Sequence, residues 1–359
     1  MGMFKKWLNR FFIDGLSGMA IGLFSTLIIG TIIVQIGTFL GGYLGNVPGN
    51  MIISVGKIAM ALTGAGIGVG VAIKFKEAPA VAISAASAGM VGAFATKILA
   101  GAVFSNGVIT FAGPGEPLGA FLAAYAAIEI GHLVSGKTKI DIILTPLVSI
   151  SSGAAVGILL GPPISSLMTQ LGNVINWGTE QQPFLMGIVV SVIMGMVLTL
   201  PISSAAIGVI LNLSGIAAGA ATIGCCANMI GFAFASYEEN KLGGVFAQGI
   251  GTSMLQVPNI VKKPVIWLPA IVTSAVLGPV STCLLKMTNN ATGSGMGTCG
   301  FVGQIMTYQT MTAQGTAPVT VLLEMLVMHF ALPAVMAYGI SKLMRKAGWI
   351  KSGDMKLVL

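Results

Sequence analysis

Residues Ser105–Leu118 read SNGVITFAGPGEPL and fall between two apolar segments of a chain that is apolar almost throughout. Gly113, Pro114, Gly115 and Pro117 forbid a continuous helix here. Proline lacks an N–H and collides with the preceding turn, and glycine gains nothing from helix. One carboxylate, Glu116, sits inside the break. Non-helical backbone at membrane depth is tolerated only where protein buries it or where it lines a wet cavity. A broken segment with an ionisable residue is therefore a candidate binding site, centred on Gly115, Glu116 and Pro117. The alternative is an ordinary loop outside the membrane.

The rest of the chain makes the membrane context secure. Of 359 residues 55% are hydrophobic and 8% are charged, against roughly 25% charged in soluble domains. The mean hydropathy is +0.93. No soluble core absorbs that much apolar surface, so the fold class is an all-α polytopic membrane protein. The net charge of +8 is not a nucleic-acid signal. Its cations cluster at Lys5, Lys6, Arg10 and at Lys342, Arg345, Lys346, Lys351, Lys356, juxtamembrane positions that positive-inside bias and anionic lipid explain. The N-terminal run MGMFKKWLNRFF has no small-residue cleavage site and reads as a retained amphipathic lead-in.

Matching apolar runs to roughly 20 residues per crossing gives about ten spans. They are Leu16–Leu40, Met51–Ile73, Val81–Phe104, Leu118–Val134, Ile142–Leu160, Phe184–Leu200, Ser203–Gly215, Ile216–Ser236, Pro264–Leu285 and Val319–Ile340. Every clear Lys/Arg cluster then falls on one side, taken as cytoplasmic, with both termini there. Pro162–Ile175, Gly243–Val257 and Phe301–Ala317 are too short or too interrupted to cross, and re-entrant hairpins or interfacial helices are expected of them. An internal echo supports repetition: residues 160–184 align without gaps to 277–301 with seven identities. Repeated span-plus-hairpin units are an architecture in which transporters hold substrate.

Polar groups in this background are the candidates for chemistry. Tyr125, Glu129 and His132 share a helical face by spacing, and could either bind hydroxyls or reach cytoplasmic water beside Lys137. Glu324 lies inside the last span, with Lys97 or Lys57 as conceivable partners. Asn228, Gln248, Gln256, Asn259, Asn290, Gln304 and the run Glu180, Gln181, Gln182 supply paired donors and acceptors. A neutral polyhydroxylated ligand wants such amides, one or two carboxylates and an aromatic platform, which Trp177 beside Glu180 offers. Plain helix–helix hydrogen bonding is the competing explanation. Two histidines, four cysteines without a CxxC pair, and no HExxH, Walker A or GxSxG motif leave no enzymatic, metal or cofactor site in view.

At GPGEPLG (113–119), GTEQQP (178–183), CCANMIGFAFASYEENKLGG (225–244), AQGIGTSMLQVPNIVKKP (247–264) and NNATGSGMGT (289–298) the chain resembles a known family. It is similar to stand-alone EIIC-type membrane proteins of the bacterial sugar phosphotransferase system, in the branch that includes the perfringolysin O regulator. The resemblance implies one EIIC-like domain over 1–359 with no fused IIA or IIB domain, so any phosphorylation would need separate partner proteins. It also implies a homodimer in the bacterial inner membrane, with a small polar molecule such as a sugar bound between scaffold and hairpin-bearing regions. Glu116 fits the family's Gly-x-x-Glu-Pro spacing, and Glu180 is its rival although Gln181 and Gln182 depart from that pattern. Two functions follow, a permease and a membrane sensor that keeps the site without transport; a non-sugar ligand is compatible with either.

Overall fold

The computed structural model describes residues 3–44, 46–105 and 107–357; Asn106, in the tip of the opening stretch, lies outside them. The chain divides into two compact units, Met1–Leu167 and Met168–Leu359.

The first unit opens with α1 (Lys6–Gly42), a continuous helix that absorbs the amphipathic lead-in. It is followed by α2 (Asn46–Ala61) and α3 (Thr63–Lys74). The pair bends by 53° at Leu62, so the expected Met51–Ile73 span is broken. Then come α4 (Pro79–Ala93) and the short α5 (Ala95–Leu99). A two-rung antiparallel ladder, β1 (Phe104–Ser105) with β2 (Val108–Ile109), pairs Phe104 with Ile109. The helix α6 (Pro117–Val134) leaves the break, and α7 (Asp141–Thr179) follows.

The second unit contains α8 (Pro183–Thr199), α9 (Ser204–Ile210) and α10 (Gly215–Ala235). Next are α11 (Tyr237–Phe246), α12 (Val257–Lys262) and α13 (Pro264–Leu285). It closes with α14 (Ala291–Ser294), α15 (Val302–Ala313) and α16 (Pro318–Lys346). The helix α10 is its axis, buried nearly all round.

Among the described residues six helices are long and apolar enough to cross a membrane, namely α1, α6, α7, α10, α13 and α16, or seven if α2 and α3 count as one. Two shorter apolar helices, α4 and α8, add to these. The expected count of about ten is not reached, and the reason is local. Ser203–Gly215 forms only the seven-residue α9, which at 1.5 Å per residue is too short to span. Of the segments expected as re-entrant hairpins or interfacial helices, Pro162–Ile175 is the continuing body of α7, and Phe301–Ala317 is mostly the single helix α15. Gly243–Val257 is an irregular stretch: α11 gives way to a π turn at Ala247–Gly251 and a 3-10 turn at Ser253–Gln256.

The echo between 160–184 and 277–301 does not carry over into matching folds. The first copy stays helical to Thr179, whereas the second leaves the helix at Lys286, which is left-handed with φ +50°. Asn289 explains the difference. Its Nδ2 donates to Thr222 Oγ1 (2.8 Å), Thr307 Oγ1 (2.9 Å) and the Gly303 carbonyl (3.1 Å). Its backbone N–H donates to the Gly215 carbonyl at 3.2 Å. The aligned position in the first copy is Gly172, which has no side chain to hold an opened backbone.

Helices in the second unit touch backbone to backbone. A Cβ placed on Gly224 of α10 would lie 1.8 Å from the Ser191 carbonyl oxygen of α8. Only glycine permits that approach, and close contact through small residues is the main attraction available between helices in lipid. We expect Gly224→Ala to destabilise by about 1–3 kcal/mol, the usual cost of overpacking, seen as a lower thermal midpoint in detergent. Gly339→Ala in α16, where an added Cβ meets nothing within 4 Å, should leave the midpoint unchanged or raise it. Equal losses from both substitutions would mean the α8–α10 crossing is not close-packed.

Candidate functional site

The break before α6 is held by its own backbone. Gly113 and Gly115 take φ of +78° and +73°, values that favour glycine strongly. At Gly115 space gives a second reason, since a Cβ would sit 2.7 Å from both the Ala93 carbonyl oxygen and the Ala93 Cβ. That close approach lets the Glu116 N–H donate to the Ala93 carbonyl at the end of α4, at 2.8 Å. Lys97, an exposed residue, donates from Nζ to the Ala112 carbonyl at 2.8 Å, so its hydrogen-bond partner is this loop. Nζ also lies 5.4 Å from the centre of the Phe94 ring, which packs on Phe111. Two of the polar backbone groups that the break frees, the Glu116 N–H and the Ala112 carbonyl, thus find partners within the first unit.

Glu116 is then the N-cap of α6, with Pro117 in the first turn, where a missing N–H costs nothing. Among the described residues its carboxylate has one hydrogen-bond partner, the Leu118 N–H, and that contact is long at 3.4 Å. An ionised carboxylate offers about four acceptor positions, so most of its capacity remains for another molecule. The residue is half-buried and lies one position outside the candidate span Pro117–Val134. Burial pushes its pKa up to about 7, against a weak opposing pull from the Leu118 N–H.

The amides of the second unit are engaged differently. Asn228, fully buried on α10, accepts at Oδ1 from Trp267 Nε1 (2.9 Å) and Thr199 Oγ1 (3.1 Å). Its Nδ2 donates to the Gly224 carbonyl (3.1 Å) and Ser274 Oγ (3.3 Å), which uses its full capacity. Gln248, Gln256 and Asn259 form a chain. Asn259 Nδ2 donates to Gln256 Oε1 at 2.9 Å, and Gln256 Nε2 donates to Gln248 Oε1 at 2.8 Å. Gln248 Nε2 continues to Ser236 Oγ at 2.9 Å. Asn290 caps α14 by accepting from the Gly293 N–H at 3.0 Å. In this arrangement these amides bind protein to protein.

Gln304 has capacity to spare. Its Nε2 lies 3.0 Å from His329 Nδ1 and 3.5 Å from Cys226 Sγ, while its buried Oε1 has no partner among the described residues. Trp177, Glu180 and Gln182 are exposed at the end of α7 and in the link to α8, and Gln181 is tied back to the Trp177 carbonyl at 3.0 Å.

Sequence reasoning missed the partners of the face that Tyr125, Glu129 and His132 share. Arg10 Nε donates to Glu129 Oε1 at 2.6 Å and Arg10 Nη2 to Glu77 Oε1 at 3.0 Å. His132 Nδ1 meets Glu77 Oε2 at 2.9 Å. The guanidinium also stacks over the Phe75 ring at 3.9 Å. This ion-pair cluster locks α1 to the α3–α4 turn and to α6. Nothing in sequence spacing links residues so far apart, and Arg10 is marked in the sequence only as one of the N-terminal juxtamembrane cations.

Residues 13–357 match the family model described as Phosphotransferase system, EIIC. The chain belongs to that family. This EIIC protein is accordingly a multi-pass membrane protein and a component of a transport system. No curated protein matches it at a significant level.

Glu116 gives this EIIC protein a pH signature. A carboxyl whose folded pKa stands above its unfolded value stabilises fully below pH 4.5, and that contribution is lost as pH rises through about 7. The ligand-free thermal midpoint of the parent should therefore drop more between pH 5 and pH 8 than that of Glu116→Gln, by several degrees. Parallel pH profiles for the two proteins would show that Glu116 is ionised freely in the fold.

Proposed function

We propose that this EIIC protein is the permease component for a small polyhydroxylated substrate of the sugar class, and that Glu116 is its principal hydroxyl acceptor. The observation that carries this is the underused carboxylate of Glu116, fixed at a helix N-terminus beside a break and, among the described residues, engaged only by one long contact from the Leu118 N–H. A ligand hydroxyl donating to an ionised carboxylate forms a charge-assisted hydrogen bond, worth roughly 1.5–3 kcal/mol. Gly115 and Pro117 fix the position of that group, and the glycine-permitted contact with Ala93 makes the position rigid. Rigid placement is what a specific site requires.

The remaining parts of the reading rest on the family and on the one-sided cations. We place the protein in the bacterial inner membrane as a homodimer, with the Lys/Arg-rich faces and both termini cytoplasmic, and infer a separate IIB protein as phosphate donor. The end of α7 with Trp177 and Glu180 is a secondary candidate, and Gln304, whose Oε1 has no partner among the described residues, is a separate candidate within the second unit.

A thermal-shift screen of purified protein against hexoses, pentoses and polyols should reveal a stabilising ligand. Glu116→Gln should then weaken that ligand by tenfold or more in calorimetry, while keeping the parent's thermal midpoint at pH 5. Liposome uptake of the same compound, abolished by the substitution, completes the assignment. Undiminished binding by Glu116→Gln would make Glu116 a structural cap.

A further inference from the structure

The three buried amides Gln248, Gln256 and Asn259 end on a segment that the transport reading leaves unexplained. After α16, Gly348 takes φ +77° and the chain folds back on the second unit. A turn over Lys351–Asp354 is closed by the Lys351 N–H donating to Asp354 Oδ2 and the Asp354 N–H donating to the Lys351 carbonyl, at 2.5 and 3.1 Å. From there the backbone is read by side chains. Asn240 contacts it twice: its Nδ2 donates to the Met355 carbonyl (2.8 Å) and its Oδ1 accepts from the Leu357 N–H (2.9 Å). Gln256 Nε2 donates to the same Met355 carbonyl (2.9 Å), and Asn259 Nδ2 to the Lys356 carbonyl (3.0 Å). The Gly353 N–H donates to Glu239 Oε1 at 3.0 Å, and Glu239 is itself clamped by Arg345. Lys263 Nζ pairs with Asp354 Oδ2 at 2.5 Å.

The side chains of this segment are held as firmly as its backbone. Met355 is fully buried and Ile350 nearly so, in one apolar cluster with Phe232, Ile260, Ile266 and Trp267. An unsatisfied buried amide is costly, so the buried Gln256 and Asn259 need the segment as much as it needs them.

What lies under the segment is an irregular stretch. Lys241 has φ +51° and ψ −153° inside α11, a conformation that only glycine adopts without strain and that persists only when its surroundings enforce it. Beyond it come the π turn at Ala247–Gly251 and the 3-10 turn at Ser253–Gln256, both poorer in hydrogen-bond geometry than α-helix. Asn240 precedes the strained residue, and Gln248 and Gln256 belong to the two irregular turns. The Gly249 carbonyl in turn accepts from Thr298 Oγ1 in the loop between α14 and α15.

We propose that Asn240, Gln256, Asn259 and Lys263 form a peptide-recognition site for residues 350–357, and that its occupancy keeps the strained, broken stretch 237–262 in its present order. The segment is a strap in cis, and its release loosens a region joined through Gly249 and Thr298 to the loops of the second unit. Nothing in this depends on Glu116 or on the nature of the substrate.

The test uses the full chain with exposed Cys283 replaced by serine, the other three cysteines being buried. A thiol introduced by Met355→Cys should react with a membrane-impermeant maleimide at least tenfold more slowly than one introduced by Ser352→Cys. Adding Asn240→Ala should bring the Met355→Cys rate up by tenfold or so. Hydrogen exchange of Asn240→Ala should rise across 241–259 and stay at parental values across 117–134. If Asn240→Ala does not fold, Asp354→Asn, which keeps the shape of this half-buried side chain and removes its charge opposite Lys263, provides the same two readouts. Equal labelling of the two thiols in the parent background would overturn the docked strap. Unchanged exchange across 241–259 on release would overturn its control of the stretch beneath.

Discussion

A backbone that leaves the helix inside an apolar environment must find partners for its amides and carbonyls at once, because no water is there to supply them. Much of this chain's polar inventory is spent on that demand. In the first unit the Ala93 carbonyl takes the Glu116 N–H, and Lys97 takes the Ala112 carbonyl. In the second, Asn289 gathers Thr222, Thr307 and Gly303 where the chain turns away from Lys286. Polar side chains in lipid therefore divide into those that stabilise breaks and those left over. Glu116 stands apart because, among the described residues, its carboxylate is engaged only by one long contact from the Leu118 N–H.

The same division separates Asn228 from Gln304. Both are buried amides on helices of the second unit. Asn228 joins α8, α10 and α13 with every donor and acceptor used, and its loss would take away the acceptor of the buried Trp267 Nε1. Gln304 touches His329 and Cys226 through one atom and leaves the other unmet. An amide that is half satisfied invites a ligand or strain; one that is saturated gives only order.

Much of the architecture was legible before any coordinates. Composition alone requires a helical membrane protein, and the glycines and prolines of 113–117 mark a true interruption with its carboxylate at the next helix start. What stayed hidden has physical causes. Pro162 and Pro163 look like a stop, yet α7 runs through them; their cost is a tendency that tertiary context can override. Ser203–Gly215 is apolar enough to cross and too short once folded. The amides Gln248, Gln256 and Asn259 have the composition of a sugar site, and only the return of residues 350–357 shows what they hold. Arg10 meets Glu129 across 119 positions of sequence, a pairing that no local pattern encodes.

The π turns have a further consequence. Among the described residues they occur within α1 at Arg10–Gly15 and Phe24–Ile28, at Ala247–Gly251, within α13 at Val280–Leu285, and within α16 at Leu326–Ala331, where His329 meets Gln304. Each is the trace of one residue too many for an α-helix. Removing that residue would let the ladder close as ordinary helix while turning everything beyond it by roughly 100°. The turns at Ala247–Gly251 and Val280–Leu285 end their helices, at extended Thr252 and left-handed Lys286, so single-codon insertions and deletions are rotary steps only at the three turns inside α1 and α16. They offer lineages of this fold a way to exchange which side chains face the interior, with no substitution made in the interior itself.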